Sequence, residues 1–422
     1  MSEWKELKIE DFCEVIGGGT PSTKEDSYYG GEISWITPRD LTNYKKRFIL
    51  RGERNITELG LKNSSARILP KNSILLTSRA PIGYLAIAEK EVCTNQGFKS
   101  LVINPEKADY NFVYYLIKSN VERIKGLGTG TTFAEISGSV VKNLKFSLPD
   151  LPTQTSIAEI LSSLDDKIEL NNKINQELET LAQTLFKQWF IDFEFPNEKG
   201  EPYKSSGGEM VDSELGEIPK GWELVTIDDV TETVTKGTTP TTIGGRFTEQ
   251  GINFIKVESL TESGAFIKSK FAHIDDETNL LLKRSVIKKG DVLFSIAGTI
   301  GRVAVVTNEI LPANTNQAIA IIRPNKISSY FLKILMQSSL IQNDTQSNIV
   351  QAVQANLSLG VIKLTKFILP PNNILSKIDI QLNNIYDNIN HFTNENENLT
   401  TLRNTLLPKL ISGELEINEN NN

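Results

Sequence analysis

The sequence predicts an α+β protein with two similar globular domains, separated by two long helices that pair as an antiparallel coiled coil. Three observations support this architecture. The chain has 422 residues, which is enough for two or three domains. A set of sequence landmarks occurs twice in the same order, which indicates an internal pseudo-twofold repeat. Each set is followed by a segment whose apolar residues recur about every 3.5 residues.

The internal repeat relates positions that lie 218 to 221 residues apart. Trp4 corresponds to Trp222, and Phe146 corresponds to Phe367. Other landmarks are longer: Gly18-Gly19-Thr20-Pro21 with Gly237-Thr238-Thr239-Pro240, and Thr94-Asn95-Gln96 with Thr315-Asn316-Gln317. Because the order is kept and the shift varies little, the two copies are predicted to share one fold of about 150 residues.

Each copy mixes strand and helix signals. Short β-branched runs bounded by Gly, Asn or Pro predict strands, for example at 73–77, 102–104 and 318–323. Segments 110–121 and 330–341 predict matching helices. Each copy is therefore expected to be an α+β domain.

The segment after each copy has a heptad pattern. Its apolar positions begin at Ile157 and Ile378, and the polar Asn175 and Asn396 occupy a matched position in the seam. A 3.5-residue period favours helices that pair with a partner, and a seam Asn suits selection of register. The alternative is two amphipathic surface helices packed on their own domains. The regions predicted are 1–150 (first domain), 151–221 (helical region and linker), 222–371 (second domain) and 372–422 (C-terminal helical region).

Composition excludes several classes of protein. Hydrophobic residues make up 39% and charged residues 23%, which is typical of globular proteins. Two cysteines and two histidines exclude a disulfide framework and a cysteine- or histidine-rich metal site. No apolar run reaches the ~18 to 20 residues of a membrane span, and the N-terminus lacks a signal-peptide pattern. We expect a cytoplasmic protein with no membrane partner.

The net charge of −7 hides an alternation along the chain. Residues 1–150 carry +3 and residues 222–370 carry +2, whereas residues 151–221 carry −8 and residues 371–422 carry −4. Attraction to phosphate is therefore expected in the two repeated domains and not in the helical regions.

Three segments resemble the specificity subunit of a Type I restriction-modification enzyme. The linker Asp212-Ser213-Glu214-Leu215-Gly216-Glu217-Ile218-Pro219-Lys220-Gly221-Trp222 resembles the family's junction before its second recognition domain. Segments 185–190 and 406–415 resemble the end of its central helix and its C-terminal region. The resemblance covers essentially the whole chain, and it identifies residues 1–150 and 222–371 as target recognition domains.

The resemblance implies a DNA-binding host-defence subunit that recognises a two-part, interrupted duplex target. The helical regions would bind modification (methyltransferase) subunits, two of them expected, and restriction (motor/endonuclease) subunits would join the complex. S-adenosylmethionine, ATP and Mg would serve those partners, and this chain would hold no cofactor. A helix over 157–190 would be on the order of 50 Å long, against ~34 to 36 Å for one turn of B-DNA. The helices would then set the gap between the half-sites.

Catalytic motifs are not evident, so no catalytic or metal-ligating residue is predicted. The chain has no phosphate-binding Gly-x-x-x-x-Gly-Lys-Ser/Thr loop, and Pro370-Pro371-Asn372-Asn373 reverses the order of an amino-methyltransferase tetrapeptide. The latter is interpreted as a helix-entry turn. Asp165-Asp166-Lys167 superficially resembles a nuclease cluster but is interpreted as a solvated helix face. The alternatives left open are a protein- or carbohydrate-binding adaptor dimerised by its coiled coil, and a chain with its own nuclease site.

The repeat separates scaffold positions from positions that contact DNA bases. Residues alike in both copies are expected to serve the fold, including the Thr-Asn-Gln triplets as turns. Polar residues that differ between copies are the candidates for base contacts, since Arg suits guanine, Asn and Gln suit adenine, and carboxylates suit cytosine. They are Thr37, Arg39, Asp40, Ser78, Arg79, Thr129, Thr131 and Thr132 in the first copy, and Lys256, Glu258, Ser259, Gln351, Gln354 and Asn356 in the second. Basic clusters are the candidates for phosphate contacts: Lys45, Lys46, Arg47, Lys283, Arg284, Lys288 and Lys289.

Overall fold

A computed structural model describes residues 4–129, 134–350 and 356–417, with the side chains of residues 344 and 346–350 outside the description. The chain divides into two compact units. The first unit is Met1–Asn172 together with Thr393–Asn422, and the second is Lys173–Phe392. Among the described residues, no helix has the length and apolar character needed to cross a membrane.

The first copy and the helix after it contain ten strands and six α-helices in the described ranges. The strands are β1 (Lys5–Lys8), β2 (Cys13–Gly17), β3 (Tyr29–Ile36), β4 (Phe48–Ile49), β5 (Arg54–Ile56), β6 (Ile74–Leu76), β7 (Leu85–Ala88), β8 (Cys93–Thr94), β9 (Lys99–Ile103) and β10 (Lys145–Leu148). The helices are α1 (Ile9–Phe12), α2 (Glu58–Lys62), α3 (Tyr110–Ser119), α4 (Val121–Lys125), α5 (Gly138–Lys142) and α6 (Leu151–Phe190). Short 3-10 helices lie at Asp26–Tyr28 and Pro38–Leu41.

The rest of the described chain adds thirteen strands and five α-helices. The strands are β11 (Met210–Ser213), β12 (Gly216–Pro219), β13 (Glu223–Thr226), β14 (Thr231–Lys236), β15 (Phe247–Thr248), β16 (Ile252–Ile255), β17 (Ala272–Ile274), β18 (Val286–Ile287), β19 (Val292–Ser295), β20 (Val303–Val305), β21 (Ala313–Thr315), β22 (Ile319–Pro324) and β23 (Lys366–Leu369). The helices are α7 (Asp276–Leu281), α8 (Ser329–Gln337), α9 (Ser339–Val350), α10 (Leu359–Leu364) and α11 (Asn372–Ser412). The 3-10 helices are Asp228–Val230, Pro240–Ile243, Val257–Ser259, Lys268–Lys270, Lys283–Ser285 and Asn308–Ile310.

Both copies fold into two larger sheets and one two-stranded pair, with different numbers of strands in the larger sheets. In the first copy, one sheet has the order β2-β9-β6-β7-β4, a second has the order β5-β3-β8, and β1 pairs with β10. In the second copy, the corresponding arrangements are β14-β22-β19-β20, β15-β17-β16-β21-β18 and β13 with β23. The predicted α+β fold and its duplication are therefore confirmed.

The match extends to the register of single residues. β3 and β8 are parallel with Ile36 opposite Thr94, and β16 and β21 are parallel with Ile255 opposite Thr315. Within the Thr-Asn-Gln triplets, Asn95 Oδ1 accepts the Gly97 N–H at 2.9 Å. Asn316 Oδ1 likewise accepts the Ala318 N–H, at 3.2 Å. The prediction that these triplets are structural turns is confirmed.

The long helices pair antiparallel inside each unit. In the first unit, Asn171 Nδ2 donates to Asn396 Oδ1 at 2.9 Å, and Asp165 pairs with Arg403. In the second unit, the Tyr386 hydroxyl donates to Glu179 Oε2 at 3.4 Å. Residue numbers rise along α6 while those of the partners fall along α11, which is the antiparallel direction. The predicted seam position of Asn396 is confirmed, and Asn171 opposite it is fully buried.

The same helices also pack against the repeated domains. In the first unit, Ile157, Leu161 and Leu410 belong to the hydrophobic cluster that contains Phe112 and Tyr115 of α3. In the second unit, helix residues including Phe186, Ile378 and Leu382 share a cluster with α8. The two interpretations of the heptads thus both apply: the helices pair with each other, and they complete the core of each domain.

Aromatic side chains anchor the end of α6 in the second unit. The ring of Phe190 lies 5.1 Å from the ring of Phe186, 5.1 Å from that of Phe331 and 5.6 Å from that of Trp222. Phe195 continues the cluster, with its ring 5.0 Å from that of Trp222. These side chains are buried, so they fix the linker against the second copy.

Candidate nucleic-acid interface

The loop after β3 holds three of the candidates for base contacts. Thr37 precedes the 3-10 helix Pro38–Leu41, and its N–H and hydroxyl both donate to Asp40 Oδ2, at 2.7 and 2.6 Å. The other carboxylate oxygen of Asp40 accepts the Glu53 N–H at 2.7 Å. The Arg39 side chain is 85% exposed, with Nε 3.9 Å from Glu53. The hydrogen bonds between Thr37 and Asp40 therefore cap the short helix and occupy both side chains. The side chain of Arg39 remains available to a ligand.

A second group of candidates meets at Glu135. Arg79 Nη1 lies 3.5 Å from Glu135 Oε2, and the Thr129 N–H donates to the Glu135 carbonyl oxygen at 3.1 Å. Ser78 is buried, and its hydroxyl donates to the Gly97 carbonyl oxygen at 3.2 Å. The structure thus brings Arg79 and Thr129 together and assigns the Ser78 hydroxyl to the fold. Thr131 and Thr132 lie outside the described residues.

The candidates of the second copy divide in the same way. Ser259 is fully buried, and its hydroxyl donates to the Lys270 carbonyl oxygen at 3.1 Å. Lys256 lies 3.9 Å from Glu258, whose side chain is 58% exposed. Asn356 is exposed and forms a β-bridge with Ala297. Gln351 and Gln354 lie outside the described residues.

The candidates for phosphate contacts are exposed, with one exception. Lys45 and Lys46 are exposed, as are four residues of the second copy: Lys283, Arg284, Lys288 and Lys289. The Arg47 side chain is only 5% exposed. Its guanidinium donates to the Tyr115 hydroxyl at 3.1 Å and to Asp166 Oδ1 at 2.6 Å. Arg47 therefore serves the contact between the first copy and α6, and its charge is already paired.

A polar network lies where α6 and α11 meet α3 in the first unit. Asp165 is 8% exposed and pairs with Arg403, while its Oδ2 accepts the Tyr115 hydroxyl at 2.7 Å and lies 3.5 Å from Lys118 Nζ. The expectation that Asp165-Asp166-Lys167 forms a solvated face is wrong for Asp165. Burial alone would raise the pKa of Asp165, but Lys118 and Arg403 outweigh it and hold the pKa below its usual value.

The second unit has a different network at its corresponding junction. Lys333 of α8 is 6% exposed, and its Nζ lies 2.9 Å from Glu179 Oε1 and 4.1 Å from the centre of the Tyr386 ring. Burial lowers the pKa of Lys333, and Glu179 opposes that change. Across the described ranges of both units, no three His, Cys, Asp or Glu side chains are grouped as a metal site would require.

Both copies match one known protein family. Residues 1–180 and 219–405 match the family described as Type I restriction modification DNA specificity domain. The chain belongs to this family. The type I restriction enzyme MjaIX specificity subunit of Methanocaldococcus jannaschii is 37% identical, over 99% of this chain and 94% of that protein. The HindI specificity subunit of Haemophilus influenzae is 25% identical, over 98% of this chain and 100% of that protein.

A solved S subunit of a type I restriction-modification system from M. genitalium has the same fold. The TM-score is 0.59 at 18% identity, and the match covers 97% of this chain and 96% of that chain. The family match and the MjaIX relative confirm the predicted membership of the specificity-subunit family. The boundaries predicted for the four regions stay predictions, although α6 and α11 begin at Leu151 and Asn372, next to two of them.

Glu135 is a candidate residue of this specificity subunit that the sequence alone did not reveal. Arg79 and Glu135 form a β-bridge in the first copy, and Ala297 and Asn356 form the matching bridge in the second. The next residues also match, since Ile136 N–H donates to the Ser78 carbonyl and Leu357 N–H to that of Ile296. Applying the repeat shift of 221 to Asn356 would have identified Glu135. The two bridges keep the same backbone and differ in their side chains, as expected of positions that contact different half-sites.

Proposed function

We propose that this specificity subunit selects a duplex DNA target made of two half-sites with a gap between them. The first recognition domain (1–150) contacts one half-site, and the second (222–371) contacts the other. The observation that carries this proposal is one scaffold built twice, with different side chains at matched, at least partly accessible positions such as 79 with 297 and 135 with 356. Identical frames suit two equivalent positions on a duplex, and different side chains suit different base sequences.

The chemistry is assigned to partner subunits. The helical regions dock two modification subunits, which methylate adenine with S-adenosylmethionine, and restriction subunits, which cleave DNA with ATP and Mg²⁺. This chain supplies recognition and no catalysis in the proposed complex, which acts on DNA in the cytoplasm. The names of the relatives, which are specificity subunits, support this division of labour.

Genomic methylation mapping tests the proposal. Single-molecule sequencing of cells that express this chain with its modification subunits is expected to reveal methylated adenines in one interrupted consensus. Cells that express the modification subunits alone should lack that consensus. If both samples carry the same methylation pattern, this chain does not select the target.

Two other functions have direct tests. The first is an adaptor for protein or carbohydrate, with the coiled coil mediating its dimerisation. If the chain were such an adaptor, the complex would show no salt-dependent binding to duplex DNA. A DNA-binding complex, in contrast, should lose affinity steeply as salt rises, because phosphate contacts release counterions. Family membership argues against that adaptor. A chain with its own nuclease site predicts metal-dependent nicking by the purified chain alone.

Replacing Arg79 or Arg39 by alanine is expected to change only the half-site of the first domain. Loss of a two-bond guanine contact relaxes selection at one position on the order of 10- to 100-fold. Methylation of a library of randomised targets measures this change.

Asn356→Ala is the comparison variant in the second copy, where Asn356 occupies the position of Glu135, and it should relax only the other half-site. Uniform weakening at both half-sites in the Arg39 and Arg79 variants would show that these residues contact phosphate rather than bases.

Adding one heptad to each long helix is expected to widen the gap in the target. A heptad adds about 10 Å of helix, which corresponds to about three base pairs of B-DNA. The insertions must be matched, one between Asn171 and Leu185 of α6 and one in α11, because pairs such as Asn171 with Asn396 fix the register. Methylation mapping reads the gap directly.

An insertion of seven residues in α6 alone is the control, and it should disrupt pairing and abolish methylation. A matched-heptad variant that methylates the original gap would refute the role of the helices in spacing.

A further inference from the structure

A basic cleft of about 600 Å³ opens on the first recognition domain. Its lining includes Arg51, Arg54, Tyr29 and Glu53. Both arginines are exposed. Arg51 has no hydrogen bond or ion pair with any residue that the structure describes, and Glu53 is shared with Arg39 at 3.9 Å. The cleft therefore presents more positive than negative charge to solvent, which suits an anionic ligand.

Three glycines are among the residues that line the cleft. A Cβ atom at Gly31 would lie 2.6 Å from the Ile56 carbonyl oxygen, and one at Gly52 would lie 2.6 Å from the Trp35 carbonyl oxygen. Gly30 has φ of +80° and open space where its side chain would point. The register also shifts here, because Tyr29 and Ile33 of β3 both pair with Ile56. Gly31 and Gly52 are thus required by close backbone packing inside the domain, and at Gly30 the backbone borders open space.

Arg54 is held in place over the cleft. Its guanidinium carbon lies 4.5 Å from the centre of the Tyr29 ring. The Tyr29 hydroxyl donates to the Pro21 carbonyl oxygen at 2.8 Å, and its ring meets that of Trp35 edge-on at 5.9 Å. A planar guanidinium stacked on a fixed ring loses little freedom on binding and keeps its donors free.

The second recognition domain carries the same kind of platform with another cation. The rings of Phe247 and Phe254 meet edge-on at 5.3 Å, and Phe254 is the repeat partner of Trp35. Lys256 lies over Phe247 at 5.0 Å, and although it occupies the repeat position of Thr37 rather than that of Arg54, it places a cation on the ring that corresponds to Tyr29. A matched ring pair that carries a cation from a different position is the pattern expected of residues that contact different bases. Lysine is a point charge, whereas arginine offers a planar fork.

We infer that Arg54 determines specificity in the first half-site by donating two hydrogen bonds to a guanine, and that Arg51 beside it contacts a phosphate of the same duplex. Tyr29 is a positioning residue for Arg54. This inference rests on the proposed function. It adds a contact that the polar differences between the copies did not reveal, because Arg54 and its ring partner lie 25 residues apart in the chain.

The test uses the complete complex with its modification subunits and a duplex library randomised at every target position. Arg54→Lys keeps the charge and removes the fork, so selection for guanine at one position of the first half-site should fall on the order of 10- to 100-fold. Tyr29→Ala should relax the same position. Arg51→Ala should weaken binding without changing the consensus and reduce the slope of log affinity against log salt by about 1. Lys256→Ala removes the cation from the corresponding ring of the second copy and should affect only the second half-site.

Three outcomes would overturn the inference: an unchanged consensus in Arg54→Lys, equal relaxation of both half-sites, or a change in salt slope alone. Melting temperatures of the variants check that each is folded, and Tyr29→Phe, which keeps the ring, should retain the consensus. Failure of the proposed function is distinguishable, because the wild-type complex would then methylate no consensus at all.

Discussion

Replacing Phe190 by alanine is expected to lower the free energy of unfolding of the second unit by about 3 to 5 kcal/mol. Phe190 ends α6, is 6% exposed and lies against four aromatic rings, those of Phe186, Trp189, Trp222 and Phe331. Truncation removes the buried ring and leaves a cavity that its large, constrained neighbours cannot fill by collapse. Because this cluster joins the helix to the second recognition domain, the loss should fall on that unit.

Tryptophan fluorescence in urea can measure the change separately for each unit. Trp189 and Trp222 lie in the second unit, whereas Trp4 and Trp35 lie in the first. Replacing Trp4 and Trp35 by phenylalanine leaves a reporter for the second unit alone. Leu181→Ala on the same helix is the control, since Leu181 is 47% exposed and should cost less than about 0.5 kcal/mol. Equal effects of Phe190→Ala and Leu181→Ala would contradict the assigned role of the cluster.

Replacing Arg403 by alanine is expected to destabilise the first unit by about 3 kcal/mol. The variant leaves the negative charge of Asp165 buried with fewer positive partners. Arg403 is 16% exposed and Asp165 is 8% exposed, so water cannot replace the lost partner easily. The comparison is Lys409→Ala on the same helix. Lys409 lies 3.9 Å from Glu414 in an exposed pair, which is worth at most about 1 kcal/mol. Urea denaturation at neutral pH measures both.

The same pair predicts a dependence on pH. The pKa of Asp165 is lowered in the folded state, despite burial, by Lys118 and Arg403. A carboxylate with a lowered pKa stabilises the fold fully above its unfolded-state value of about 4, and that contribution is lost as the pH falls through the lower folded-state value. Wild-type stability should therefore fall more steeply below about pH 4 than that of Arg403→Ala. Parallel curves would show that Asp165 and Arg403 are not coupled.

Features that repeat along the chain could be predicted from the sequence. The shift of 218 to 221 residues located both α+β copies, and the heptads located α6 and α11. The Thr-Asn-Gln triplets were correctly assigned to turns, because residues kept in both copies serve backbone geometry that both copies need. These signals are local or periodic, so they do not depend on knowing which distant residues meet.

Contacts between distant segments could not be predicted. Asp165 has the sequence context of a solvated helix face, yet Arg403, 238 residues away, pairs with it. Arg47 belongs to a basic run, and its burial depends on Asp166 in α6. Ser78 and Ser259 look like available hydroxyls until their carbonyl acceptors are known. The candidate site therefore loses the buried residues Arg47, Ser78 and Ser259. It gains Glu135 and the cleft around Arg54.

The division of the chain between its two units bears on how it is made. The second unit is one uninterrupted stretch, Lys173–Phe392, whereas the first combines Met1–Asn172 with Thr393–Asn422. Leu407, Leu410 and Ile411 of the late segment lie in the same core as Ile9 and Phe12 near the start. Domains usually complete in the order in which the ribosome releases them. In this protein the first unit cannot complete its core until Thr393–Asn422 has been translated. The second unit, Lys173–Phe392, has all of its residues earlier.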